Sequence, residues 1–289
     1  MIERHKLVRT PDLVKAHVDM MNAMGWNFMI QHGTYTTKIH SPNGIVTLST
    51  INFANRVFVA SNMVKKDCLN TEKGREIIQG KHAKKNYANH PTLTEYKTHW
   101  IYNIDIKGAY ASCLMNNGLI TPKTYEYLLN LKKDERLPAV GMLAKSHIKY
   151  FYEKGECVQV VPFRAETSEL FFYLIQEIDV IMREIKWILG DYFIYYWVDG
   201  IFFSELTPQH KIDEVTRYLD SINYRYTFEM VYNFDYKNED GQCKISLDKE
   251  DEHKEWNFRS SSADDDMLKK WVYKKSEKLR KNDTQNKIG

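Results

Sequence analysis

Apolar residues at Phe171, Leu174, Ile175, Ile178, Met182, Ile185 and Leu189 recur at intervals of three and four. That period predicts a long amphipathic helix over Thr167 to Leu189, with Glu169 in its first turn and Gly190 as its stop. A shorter helix is predicted from Thr10-Pro11-Asp12, which supplies a cap, a proline at the first helical position and a first-turn acid; it ends at Gly25. Short apolar runs at Phe28 to Ile30, Ile45 to Leu48 and Val57 to Ala60, broken by Ser41-Pro42-Asn43-Gly44, predict a small antiparallel sheet. Tyr195 to Phe203 is apolar and β-favouring on both sides of Asp199-Gly200, which predicts a hairpin. In that hairpin Gly200 takes the positive φ of the turn and Asp199 is exposed at the tip. Pro208 to Leu219 predicts a covering helix, and Tyr224 to Tyr232 a further strand.

An Asp-Gly hairpin needs no function. A second stretch alters that picture: Tyr102-Asn-Ile-Asp105-Ile106-Lys-Gly-Ala-Tyr110-Ala-Ser112 is an apolar strand ending in a carboxylate, then a short turn and a helix over Ala111 to Asn116. Two aspartates on adjacent strand ends suit divalent-metal chemistry, because hard Mg²⁺ takes carboxylate oxygens and keeps substrate phosphates in its remaining positions.

Residues 105–112, Asp-Ile-Lys-Gly-Ala-Tyr-Ala-Ser, resemble motif A of the family B DNA polymerases, D-x-x-S-L-Y-P-S. Residues 195–200, Tyr-Tyr-Trp-Val-Asp-Gly, resemble their motif C, Y-x-D-T-D-S, with Trp197 in place of the first Asp and Gly200 in place of the Ser. The palm logic is shared with reverse transcriptases, but no Gly-x-Pro-Gln-Gly element lies between the acids. The resemblance implies that Asp105 and Asp199 are catalytic and hold two Mg²⁺ ions, or Mn²⁺ in their place, with the Ile106 carbonyl as a further ligand. It also implies that Tyr110 lies under the deoxyribose and excludes a 2′-hydroxyl. The family's motif B, K-x-x-x-N-S-x-Y-G, matches Lys145 and Tyr152, with Lys149 replacing the Asn. On a helix these two lysines would share a face and grip the incoming triphosphate; an amphipathic surface helix accounts for them equally well.

Net charge is only +3, so any case for nucleic-acid binding depends on where the charge lies. Residues 61–99 interleave lysines, among them Lys81, Lys84 and Lys85, with Tyr87 and three histidines. Such a stretch is either a primer-template contact surface or a solvated helix and loop. From about Leu247 the chain becomes strongly charged. Asp264-Asp-Asp there is a solvated cap rather than a metal site, and Lys269 and Lys270 open a basic segment that is either a thumb-like helix on nucleic acid or a tail. No apolar run reaches membrane-spanning length, and the charged start Met1-Ile-Glu-Arg-His-Lys lacks an export signal's core. Four scattered cysteines without a Cys-x-x-Cys pair suit reduced thiols in a cytoplasm.

The expected fold class is therefore α+β: a polymerase-palm-like antiparallel sheet backed by helices, with a small N-terminal α+β region and reduced fingers and thumb. The expected division is 1–99, 100–247 with a short fingers insertion, and 248–289 as charged tail or thumb-like helix. The expected partners are a nucleic-acid primer-template and dNTPs, with no membrane. The aspartates that precede Asp105 are Asp12, Asp19 and Asp67, none followed by Glu two residues on, so no proofreading exonuclease is expected. Two other readings stay open: a palm-derived nucleic-acid-binding replication accessory protein without catalysis, and a primase or reverse-transcriptase-like enzyme. The Lys-, Asn-, Ile- and Tyr-rich composition suits a virus or mobile element with an AT-rich genome.

Overall fold

The computed structural model describes residues 7–49, 53–80, 95–239, 242–249 and 252–259. In chain order, β1 (Leu7–Val8) and α1 (Pro11–Ala23) precede three short strands, β2 (Phe28–Gly33), β3 (Thr36–Ser41) and β4 (Gly44–Ser49). Next come α2 (Asn55–Asn70), α3 (Glu72–Gln79), β5 (Glu95–Ile106), α4 (Ala109–Asn116), α5 (Pro122–Leu129) and α6 (Lys133–Gly141). The hairpin β6 (Ser146–Glu153) and β7 (Glu156–Arg164) leads to α7 (Ser168–Leu189), β8 (Phe193–Trp197) and β9 (Gly200–Phe203). The chain continues through α8 (Gln209–Ser221), β10 (Tyr226–Glu239), β11 (Gln242–Lys249) and β12 (Glu252–Arg259). This is an α+β protein with two sheets, antiparallel apart from the short β1–β4 pairing. Among the described residues no helix is long and apolar enough to cross a membrane.

Two compact units divide the chain. The first joins Met1–Lys81 to Gly118–Phe171, and the second joins His82–Asn117 to Phe172–Gly289. Residues 118–171, which the division by sequence leaves inside its central block, thus pack with the N-terminal region.

In the first unit the strand order is β1-β4-β3-β2-β6-β7. Thr10 caps α1 by accepting a hydrogen bond from the Leu13 amide at 3.2 Å, and Gly25 ends it at φ +68°. Met21, with Leu13, Val14 and Val18, packs on Phe28, Ile30, Ile39 and Leu48. Val57 to Ala60, expected as a strand, instead lies in α2. Val57, Ala60, Val64 and Cys68 are all buried and spaced three or four apart, so only a helix puts them on one face. Burial, and then the neighbouring Asp67 charge, pushes the Cys68 thiol up to about 12. Asp67 in turn accepts hydrogen bonds from the Thr121 amide and hydroxyl at 2.9 and 2.8 Å, at the start of α5.

The second unit has strand order β12-β11-β10-β5-β9-β8. Its elements β5, α4/α7, β8, β9, α8 and β10 follow a β-α-β-β-α-β succession, with the first-unit segment inserted between α4 and α7. The long helix read from the sequence is α7, whose Leu174, Ile178, Met182, Ile185 and Leu189 are buried. Each such side chain contributes about 1.5–3 kcal/mol relative to exposure. Residues 252–259, expected in a tail or thumb-like helix, are strand β12, paired along its length with β11. Charged residues stand there because a two-stranded edge satisfies its backbone through the ladder, while Lys244–Glu255 (3.1 Å) and His253–Asp248 (2.6 Å) pair side chains.

Candidate functional site

Strand β5 is the frame of the site. Its even-numbered residues Tyr102, Ile104 and Ile106 stand opposite Phe203 and Ile201 of β9 and Phe228 and Tyr226 of β10, on the face to which β8 contributes Tyr196. That face meets α7, because the Tyr196 hydroxyl donates to Asp179 of the helix at 2.7 Å. The period of two therefore places Asn103 and Asp105 on the other face. Gly200 of β9 and Thr227 of β10 are the cross-strand partners of Asp105.

The β8–β9 turn is Val198-Asp199, and its backbone is tied to β5 where the Ile106 amide donates to the Asp199 carbonyl at 2.8 Å. The structure thus brings Asp105, Ile106 and Asp199 together through main-chain register, without depending on flexible side chains. After Ile106 the chain turns at Gly108 (φ +60°, ψ 40°), a left-handed conformation suited to glycine, and enters α4. Tyr110 stands in the first turn of α4. The helix is anchored by Tyr173 of α7, which donates to Asn117 at 2.8 Å, and by Asn116, which donates to the Ile222 carbonyl at 3.0 Å.

Gly200 does not supply the positive φ expected of it. That conformation falls on Val198 at φ +55°, while Gly200 is the first paired residue of β9. The ladder pairs Trp197 directly with Gly200, so the two-residue turn lies one position earlier than an Asp-Gly turn would. The glycine serves a close approach instead: a Cβ at 200 would stand 3.5 Å from Asp105 Oδ1 and 3.9 Å from Asn103 Oδ1. A β-branched residue in the left-handed region stores about 1–3 kcal/mol of strain. Val198→Asn is therefore expected to raise the melting temperature by a few degrees, and an unchanged or lowered value in a thermal melt would contradict the strain.

Asn103 was not singled out by sequence reasoning. It is 3% exposed, and its Oδ1 is buried with no hydrogen-bond partner among the described residues, while Nδ2 donates to Glu229 at 3.4 Å. Glu229 is itself paired with Lys249. The Asn103 amide is thus oriented from one side, and its carbonyl oxygen faces the space left open above Gly200. The available signal was its position two residues before Asp105 on a strand, hence on the same face. Carboxylate and amide oxygens around a gap that a methyl group would occupy are a donor set suited to a hard divalent cation. Among the described residues no group of three or more His, Cys, Asp or Glu side chains is placed to hold a metal ion. The donors placed beside this gap are the Asp105 carboxylate and the Asn103 amide oxygen, and Asp199 is tied to the same strand end by its main-chain carbonyl.

Lys145 and Lys149 do not share a helix face. Helix α6 ends at Gly141, Lys145 lies extended after a 3-10 turn, and Lys149 is in β6. The cause is the run Ile148-Lys-Tyr-Phe-Tyr152, whose β-branched and aromatic side chains pair with β2 on one side and β7 on the other. Both lysines belong to the first unit, and the aspartates to the second. Lys81, Lys84, Lys85, Lys269 and Lys270 lie outside the described residues. No protein-family model matches the chain, and no curated protein is similar to it.

Proposed function

We propose that the chain is a palm-type, template-directed nucleotidyltransferase that extends a nucleic-acid primer from dNTPs, without a proofreading exonuclease. The observation that carries this reading is the register that seats Asp105 opposite Gly200 while the Ile106 amide holds the Asp199 carbonyl at 2.8 Å. Two acids are thereby fixed at adjoining strand ends on a β-α-β-β-α-β sheet, an arrangement that agrees with the order of the polymerase-like motifs. Asp105 and Asp199 would hold the cations, with the Ile106 carbonyl and the Asn103 amide oxygen completing the set. Mg²⁺, or Mn²⁺ in its place, would supply activation of the primer 3′-hydroxyl and neutralise charge on the leaving pyrophosphate. The protein's own part is to hold these oxygens at fixed positions through main-chain hydrogen bonds, so that little reorganisation accompanies reaction. Its setting would be the cytoplasm of a bacterium or a virus-infected cell.

Tyr110, in the first turn of α4, is assigned to the sugar of the incoming nucleotide. Tyr110→Ala is expected to relax selection against ribonucleotides by about tenfold or more, on the scale of a lost steric contact. Unchanged discrimination in a dNTP/NTP competition assay would remove that role.

The test of the whole reading is incubation of the purified protein with a labelled primer-template, four dNTPs and Mg²⁺, beside Asp105→Ala and Asp199→Ala. Extension by the wild type alone supports it, and DNA and RNA templates run in parallel separate a DNA polymerase from a reverse transcriptase. Absence of extension by a folded protein that binds primer-template would favour the non-catalytic accessory protein instead.

A further inference from the structure

A second surface lies wholly within the first unit and does not depend on the aspartate pair. One face of its sheet packs on α1 through Phe28, Ile30, Ile39 and Leu48. On the opposite face Lys38, Gln31 and Lys149 stand directly across from one another on β3, β2 and β6. His40 follows Lys38 two residues along β3, and His147 precedes Lys149 by two on β6, so both imidazoles share the face. Phe163 of β7 is the cross-strand partner of His147, and the two rings stack at 4.4 Å. The Lys149 ammonium is 5.8 Å from the same phenyl ring, which remains 42% exposed. Two acids of the unit's hairpin, Glu153 and Glu156, lie at the β6–β7 turn, about 13 Å along the strand from Lys149.

The electrostatics agree with this crowding of cations. Burial first, and then the ammonium groups of Lys38 and Lys149, hold His40 below the ordinary imidazole range. Burial, then Lys149, Lys145 and Lys38, do the same to His147. His147 is only 9% exposed, and among the described residues neither of its ring nitrogens has a hydrogen-bond partner; the same holds for His40 Nε2. Among the described residues no carboxylate pairs with Lys38 or Lys149, so an anion lying on the face would neutralise both ammonium groups.

The spacing favours a polymer over a single phosphate. Lys38 and Lys149 are separated by two inter-strand steps, roughly 9.5 Å at the backbone, which suits two phosphates of one strand. The exposed phenyl ring beside them offers a stacking platform, the second component of sequence-tolerant single-strand sites. We propose that this face of the first unit binds single-stranded nucleic acid, with Lys38 and Lys149 on neighbouring phosphates and Phe163, backed by the His147 ring, stacking on a base.

The test is fluorescence anisotropy of the full-length protein with a labelled oligothymidylate of about twelve nucleotides, within the usual site size, across a salt series. Lys38→Ala/Lys149→Ala is expected to weaken binding at least tenfold and to reduce the magnitude of the salt slope by about 1.4, the value for two phosphate contacts on a single strand. Phe163→Ala is expected to weaken binding roughly 5- to 160-fold at an unchanged salt slope. Thermal melts confirm that each variant is folded, and Phe163→Tyr, which keeps the stacking ring, is expected to bind as the wild type does. The proposal is overturned if the wild type does not bind, or if the double-lysine variant retains wild-type affinity and slope. Polyphosphate competing as well as the oligonucleotide, together with a silent Phe163→Ala, would also overturn it by reducing the face to a general anion patch.

Discussion

Asp105→Asn is expected to lower metal-dependent primer extension by about 10³-fold or more, and Asp199→Asn to do the same. The amide keeps the size of the carboxylate and removes its charge, so under the proposed function the change would fall on cation affinity and on the field at the reacting phosphate. Loss of one preorganised electrostatic group in an active site typically costs 10²–10³-fold, and loss of a metal ligand costs more. Folding should survive, because the site is assembled by the ladder pairing of Asp105 with Gly200 and by the Ile106–Asp199 main-chain bond, neither of which uses the carboxylates. Single-turnover extension in Mg²⁺ reads the first effect. A Mn²⁺-dependent rise in melting temperature, present in the wild type and lost in both variants, reads the second. Wild-type rates in either variant would show that its aspartate is not catalytic.

Asp179→Ala is expected to produce the largest loss of stability. Asp179 lies on the otherwise apolar inner face of α7 at 4% exposure, accepting the Tyr196 hydroxyl at 2.7 Å and the Arg183 guanidinium at 2.8 Å. Burial, then the hydrogen bond to Asp179 and its charge, pushes the Tyr196 phenol upward, so the hydroxyl stays protonated as a donor. Removing the acceptor leaves the buried hydroxyl with no acceptor for its proton and only the Arg183 guanidinium beside it. Arg183, whose side chain is 57% exposed, loses a partner but can turn to water. The expected cost is about 2–4 kcal/mol, a fall of roughly 5–10 °C in melting temperature. Tyr196→Phe alone should cost less, and the double variant less than the sum, because removing both partners leaves no orphaned group. Additive losses in such a cycle would show that the two side chains do not interact.

Asp179 also shows where sequence reading stops. The period of α7 was legible because its apolar residues recur every three or four positions, but a carboxylate inside that stripe gives no sign of its partner until β8 is folded beneath it. The same holds for Val57 to Ala60, where a short apolar run has no intrinsic choice between strand and helix. The choice was made by burying Val57, Ala60, Val64 and Cys68 on one side. Lys145 and Lys149 failed in the opposite sense: spacing four apart suggests a helix face, but aromatic and β-branched neighbours placed Lys149 in a strand between two others. At the hairpin the residues of the turn were legible to within one position, and the ladder decided that Val198 rather than Gly200 bears the left-handed conformation.

What the sequence determined by itself is local: the capped helix α1, the long helix α7, the hairpin around Asp199, and two aspartates each at the end of an apolar strand. These follow from short-range periodicity, capping and turn chemistry. Only the tertiary structure decided that β5 lies between β9 and β10, so that Asp105 stands opposite Gly200 while the main chain of Asp199, far away in sequence, bonds to Ile106, and that Asn103 and the Lys38–Lys149 face come to share surfaces with their neighbours. Strand pairing between distant segments is set by the burial of whole faces and the closing of backbone hydrogen bonds, and neither can be read from a single stretch of chain.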